Sequence, residues 1–201
     1  MLVVFEGIDG SGKTSLSECV MSRLIGKGYN VSWFKNPTDM KWGHAIRKIF
    51  ENGIRLHPEV ESEMFRLDRV ENVEDQIKPA LDDGNIVLQD RYYFSTAAYQ
   101  GAAGLDWRDI IRENEEFCAP PNIVFFLSIS PEDALSRIDK DGRERTAPEK
   151  LEVQRAIDKA YRDIFDHIKS GCAYPIYYLD ASKDLAQLVD EVVERICNRS
   201  L

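Results

Sequence analysis

Apolar residues gather in five short runs, at positions 2–6, 30–34, 85–89, 122–127 and 174–179, rich in Val, Ile, Leu, Phe and Tyr. They are apolar at consecutive rather than alternate positions, which predicts strands buried on both faces. Between them the apolar positions fall at helical spacing, predicting helices that begin near Lys13, Lys41, Glu59, Ser95, Trp107, Pro131, Pro148 and Lys183. Ser130-Pro131-Glu132-Asp133 combines a serine cap, a first-turn proline and first-turn acids. Pro79, which lacks an N–H and crowds the preceding turn, is expected to end or kink the long helix starting at Glu59. Strands alternating with helices predict an α/β fold of three layers, a parallel sheet covered on both sides.

With 201 residues, 43% of them hydrophobic, the chain can bury one sizeable core, so a single domain over 1–201 is expected. A net charge of -9 argues against a protein that coats nucleic acid, which needs a broad basic footprint. Cys19, Cys118, Cys172 and Cys197 lack C-x-x-C spacing and read as reduced structural thiols, not as a zinc or redox site. The chain opens on Leu2-Val3-Val4-Phe5 without a basic leader and has no long apolar run, so neither a secretory signal nor a membrane span is expected. The cytoplasm is the expected compartment.

The first chemistry-bearing motif is G-I-D-G-S-G-K-T at 7–14. Gly7, Gly10 and Gly12 let the chain curl until backbone N–H groups, including those around Ser11, converge on one anion, while the next helix adds its positive end through Thr14 and Ser15. Lys13 is placed to bridge the donor phosphates, and the Thr14 hydroxyl to hold Mg2+. A chance match is expected in about 1% of chains of this length, and this one follows a predicted strand and opens a predicted helix. A nucleotide's phosphates are therefore the expected occupant of the loop. The loop alone leaves the acceptor open, but no N-K-x-D base-reading motif is present and the chain is short for a motor, which favours a kinase of a small acceptor. The charged segment 139–146 reads either as a solvated loop or as a lid that closes over phosphates.

Three further segments narrow the acceptor. D-R-Y-Y-F-S-T-A-A-Y-Q-G at 90–101, F-E-G-I-D-G-S-G-K-T at 5–14 and M-F-R-L-D-R at 64–69 together resemble the thymidylate kinase family, and the likeness runs from the first strand to the last helix. The resemblance implies a P-loop kinase fold with strand order 2-3-1-4-5, an acceptor-binding region at about 36–75 and a lid at about 139–147. It also implies ATP- and Mg2+-dependent phosphorylation of dTMP to dTDP, and a homodimer, for which the apolar content of the helices near Phe50 and Met64 offers contact surfaces.

The residues can be read beside it. Asp90 and Arg91 follow the run 85–89, so they are expected just past a strand's carboxyl end, where open α/β sheets bind ligands. Arg91 has a fork suited to an acceptor phosphate, and Asp90 can serve a metal shell. Phe65 and Arg69, like Thr96 and Gln100, are four apart and share a helix face. By resemblance, Phe65 stacks on thymine, Arg69 donates to a base carbonyl, and Thr96 and Gln100 line the same pocket. Tyr99 then lies under the sugar, Asp9 accepts from its 3′-hydroxyl, Arg47 meets the acceptor phosphate, and Pro37 and Ser182 border acceptor and adenine. Because the loop carries Gly10 where some members have arginine, the catalytic arginine is assigned to the lid, to Arg143 or Arg145, with Arg137 as a third candidate.

Departures from the family pattern are Lys35-Asn36 in place of Arg-Glu, Glu71 in place of glutamine, and Arg66 in place of a small residue. They bear on base selectivity and metal arrangement. Two alternatives stay open: a kinase of another nucleotide or deoxynucleoside, and a nucleotide-gated binding protein.

Overall fold

The computed structural model describes residues 1–140, 149–169, 171 and 174–199. Its elements run β1 (Leu2–Glu6), α1 (Lys13–Gly26), β2 (Val31–Lys35), α2 (Lys41–Glu51), α3 (Pro58–Asn72), a π turn (Val73–Ile77), α4 (Lys78–Asp82), β3 (Ile86–Asp90), α5 (Tyr93–Ala102), α6 (Trp107–Glu115), β4 (Ile123–Ser128), α7 (Pro131–Lys140), α8 (Glu149–Ile168), β5 (Ile176–Asp180) and α9 (Leu185–Cys197). The strands form one parallel sheet in the order β2-β3-β1-β4-β5, as the resemblance implied.

All of β1 and β3 and nearly all of β4 are buried, which is why those runs lack polar alternation. Phe5, Phe125 and Tyr177 stack side by side across β1, β4 and β5 with centroids 5.6 and 5.7 Å apart. On the other flank, α5 brings Tyr93, Phe94 and Ala97 against Tyr161 and Phe165 of α8, all essentially inaccessible to solvent.

Several boundaries move for identifiable reasons. Asp90 does not follow β3 but ends it, in register with Phe5 and with Lys35. The last strand begins at Ile176, because Pro175 can only accept there, from the Val124 N–H. The last helix begins at Leu185 rather than Lys183, since Asp184 caps it by accepting from the Ala186 N–H. Ser130 caps α7 as expected, accepting from the Asp133 N–H at 3.1 Å. Pro79 does not end the long helical run, which continues to Asp82. The π turn comes first, and Pro79 sits in the opening turn of α4, where its missing N–H costs little. The expected helix start at Pro148 falls outside the described residues; α8 is described from Glu149.

The consequence for the site is positional. The carboxyl ends of β1, β2 and β3 deliver Glu6, Lys35 and Asp90 to one edge of the sheet, directly beneath the glycine loop.

Candidate active site

Two cavities meet at that edge, one of about 680 Å³ and one of about 220 Å³. The larger is floored by the glycine loop between β1 and α1. Gly10 has φ +81, and a Cβ there would lie 2.3 Å from the Ala134 carbonyl oxygen of α7, so only glycine allows the helix to sit on the loop. Lys13 folds over the same loop, donating to the Ile8 carbonyl at 2.8 Å and to Ser11 Oγ at 3.2 Å. Burial, reinforced by the like charge of Arg91, pulls its ammonium down to about 7, against the pull of Asp9, Asp90 and Glu6.

Thr14 Oγ1 donates to Asp90 Oδ2 at 2.6 Å, and Lys35 Nζ reaches Thr14 Oγ1 at 3.1 Å. Asp90 Oδ1 is buried without a partner among the described residues. On the far wall Arg137 donates to the Ala181 carbonyl at 2.7 Å.

Arg91 lines both cavities. Its φ of +68 is rare for a residue with a side chain, and its backbone is held on both sides: its N–H donates to Phe5 O at 3.0 Å, and its carbonyl accepts from Gln89 Nε2 at 2.7 Å. The guanidinium pairs with Asp9, donates to Ser95 Oγ at 3.1 Å and to Tyr99 OH at 3.2 Å, and lies 5.2 Å from the Tyr99 ring. Burial works against its charge, but Tyr99, Asp9, Tyr161 and Asp90 outweigh it.

Behind Ser95 stands Glu6, fully buried at the end of β1. It accepts from the Tyr92 and Ser95 N–H groups at 2.8 and 3.2 Å, from Ser95 Oγ at 2.6 Å and from Tyr161 OH at 2.8 Å. Burial raises its carboxyl above the ordinary value despite these donors.

The smaller cavity is walled by α3 and α5. Arg69 is 1% exposed and fixed on three sides, donating to Asn114 Oδ1 and Thr96 Oγ1 at 2.7 Å each and to the Tyr92 carbonyl at 3.4 Å. Its Nε finds no partner among the described residues. Phe65, one turn earlier, presents a ring next to Phe50, centroids 6.2 Å apart. Gln100 Nε2 donates to Glu61 Oε1 at 3.1 Å. The floor is stiffened by Asp68, which accepts from Asn36 Nδ2 at 2.8 Å and from Thr38 Oγ1 at 2.6 Å.

Of the predicted residues, Asp9, Pro37, Phe65, Arg69, Arg91, Thr96, Tyr99 and Gln100 line the smaller cavity, and Gly10, Ser11, Gly12, Lys13, Thr14 and Ser15 the larger. Three stand apart. Gly7 packs under Leu127, Arg47 binds the Pro37 carbonyl and Asp39, and Ser182 turns to Asp180. Arg143 and Arg145 lie outside the described residues, as do Cys172 and all but the first two positions of the expected lid 139–147.

Sequence reasoning missed Glu6, Glu61, Asp68, Ser95, Asn114 and Tyr161. Glu6 and Asp68 could have been found, being acids inside apolar or motif-bearing segments. Asn114 and Tyr161 give no local signal, because their partners are 45 and 155 positions away.

The sequence profile described as Thymidylate kinase matches residues 5–192. A "Probable thymidylate kinase" of Archaeoglobus fulgidus is 39% identical over 193 residues, covering 96% of this chain and 92% of that protein. Proteins named "Thymidylate kinase" from Brachyspira hyodysenteriae and Leptospira interrogans serovar copenhageni are 36% and 37% identical, covering 97% and 96% of this chain and 92% of each relative.

Proposed function

The chain belongs to the thymidylate kinase family, and from that premise we propose that its two cavities hold ATP and dTMP and transfer the γ-phosphate to give dTDP and ADP. The observation that carries this reading is that one guanidinium, Arg91, lines both cavities. A group in that position can touch the acceptor phosphate and the transferring phosphoryl at once.

We assign the roles accordingly. Phe65 stacks on the base, Arg69 donates to its carbonyl, Thr96 and Gln100 border it, and Tyr99 and Asp9 meet the sugar. Arg47 reaches the acceptor phosphate by exchanging its contact with Asp39, and Ser182 borders the adenine. The acceptor's second phosphate pKa is about 6, so near neutrality its oxygen is already anionic and no general base is needed. Lys13 and Arg91 neutralise and align the phosphates. We assign the remaining positive charge to Arg143 or Arg145 on a lid at about 139–147, with Arg137 as the alternative.

Thr14 Oγ1 and Asp90 suit Mg2+. Both offer hard oxygen donors, Asp90 Oδ1 is an orphaned buried acceptor, and two protein oxygens leave room for phosphate oxygens and water. When bound, the ion would draw the donor phosphates together and spread their charge; Lys35 has to yield its hold on Thr14 to admit it.

The chain acts as one kinase domain with its acceptor region at about 36–75, in the cytoplasm, and as a homodimer through α2 and α3, whose Phe50 and Val60 are about half exposed. Light scattering coupled to size exclusion tests the dimer.

The deciding assay follows ADP release with dTMP, dUMP, dCMP, dGMP and thymidine as acceptors. Release dependent on dTMP and fastest with it is expected. Release without any acceptor, or faster with another base, overturns the reading.

A further inference from the structure

The proposed base pocket contains an ionisable group that the base contacts leave unused. Glu61, in the first turn of α3, lines the smaller cavity together with Phe65, Arg69 and Gln100. It faces α5 across the pocket and takes a hydrogen bond from Gln100 Nε2 at 3.1 Å. Its exposure is intermediate, unlike the solvent-facing Glu59 and Glu63 nearby on the same helix.

A glutamine amide is ambiguous by itself. One end donates, the other accepts, and half a turn about its last bond exchanges them. A carboxylate removes the ambiguity, because an ionised carboxylate can only accept, so the amide end facing it must be the NH2. The carbonyl oxygen of Gln100 then faces away from Glu61, and no described residue donates to it. Arg69 cannot trade roles with it, since a guanidinium has donors alone and this one is fixed by Asn114, Thr96 and Tyr92. The pocket thus offers a fixed donor on α3 and a fixed acceptor on α5. That pair complements an imide edge, a ring carbonyl next to a ring N–H, and opposes an amino-pyrimidine edge, whose order of donor and acceptor is reversed.

We propose that Glu61 is a positioning residue that holds the Gln100 amide with its oxygen toward the base and so excludes cytosine nucleotides from the acceptor pocket. The inference rests on the proposed function and deepens it. In this role Glu61 acts on the base through Gln100, to which it is hydrogen-bonded.

The test compares kcat/KM for dTMP, dUMP and dCMP in the full chain and in Glu61→Gln, Gln100→Leu and the double variant. Glutamine at 61 can present either end to Gln100, so the amide is no longer oriented. The preference for dTMP over dCMP is expected to fall about ten- to a hundredfold, the size of effect that one misoriented hydrogen bond produces. The preference for dTMP over dUMP, which differ by a methyl group outside the imide edge, is expected to hold. In the Gln100→Leu background the change at 61 should add nothing to the dTMP:dCMP ratio, since coupled positions are not additive.

A dTMP:dCMP ratio unmoved in Glu61→Gln overturns the proposal. So does an equal loss of all three acceptors, which marks a merely structural contact, and so does full additivity in the double variant. If Glu61→Gln does not fold, as read by circular dichroism, Gln100→Leu alone decides, and an unchanged ratio there overturns the proposal. A wild-type chain that phosphorylates no thymine nucleotide overturns the proposed function, which a failure of the ratio test leaves standing.

Discussion

The two cavities are built by different means. The larger is a backbone cradle: consecutive residues from Asp9 to Leu16 line it, and the glycine conformations there do the shaping. The smaller is a side-chain mosaic, in which each wall residue is set by a partner from another element: Arg69 by Asn114 and Thr96, Gln100 by Glu61, and Asn36 by Asp68. A cradle of amides can hold any nucleotide's phosphates, whereas a mosaic of oriented donors and acceptors can tell one base from another. Generality and selectivity thus sit on opposite sides of one arginine.

Breaking the junction should have the largest effect. Arg91→Ala is expected to lower turnover by roughly 10³-fold, as loss of a transition-state arginine does. Near-normal ADP release by that variant would put the chemistry elsewhere.

The two sides should then respond separately. Gly10→Ala forces a Cβ toward the Ala134 carbonyl at φ +81, a strain of about 1–3 kcal/mol. It is expected to raise the KM for ATP about tenfold, more than that for dTMP. Phe65→Ala removes a stacking platform worth about 1–3 kcal/mol, and its loss should appear in the KM for dTMP more than in kcat. Initial-rate grids over both substrates check the pair, and a shift in the wrong substrate's KM would dissolve the division.

The smallest effect concerns pH. Burial holds the Glu6 carboxyl above 4.5, so the folded chain takes up that proton at higher pH than the unfolded one. Relative to Glu6→Gln, the wild type should therefore gain stability as pH falls through the raised folded value, with the gain complete below about 4.5. Urea unfolding of both proteins between pH 7 and 5 reads the difference, in which the other carboxylates cancel. A constant difference would show that the donors around Glu6 fully compensate its burial.

The same contrast governs what was legible in the sequence. The cradle is a contiguous motif after an apolar run, and the sheet is five apolar runs, so both can be read from the order of residues alone. Half of the mosaic is helical spacing, which exposed Phe65 with Arg69 and Thr96 with Gln100. The other half is tertiary. Nothing near Asn114 announces that it will hold Arg69, and nothing in α8 announces that Tyr161 will hold Glu6. Arg47 and Ser182 carry motif positions, yet their hydrogen bonds turn them to Pro37, Asp39 and Asp180, contacts that spacing does not encode.

The π turn at Val73–Ile77 bears on how this chain can change in length. A π turn holds one residue more than an α turn, so deleting one position there would let α3 and α4 run on as a regular helix. That helix would look better formed. The wider turn absorbs its extra residue without rotating what adjoins it, so with α4 tied to the core through Ala80 the regular helix would present α3 on the same face. Glu61, Phe65, Asp68 and Arg69 would then stay on the pocket. One position can therefore be lost at 73–77 so long as the fully buried Val73 and Ile77 keep apolar successors, whereas the same deletion inside α3 would turn everything before it by about 100°.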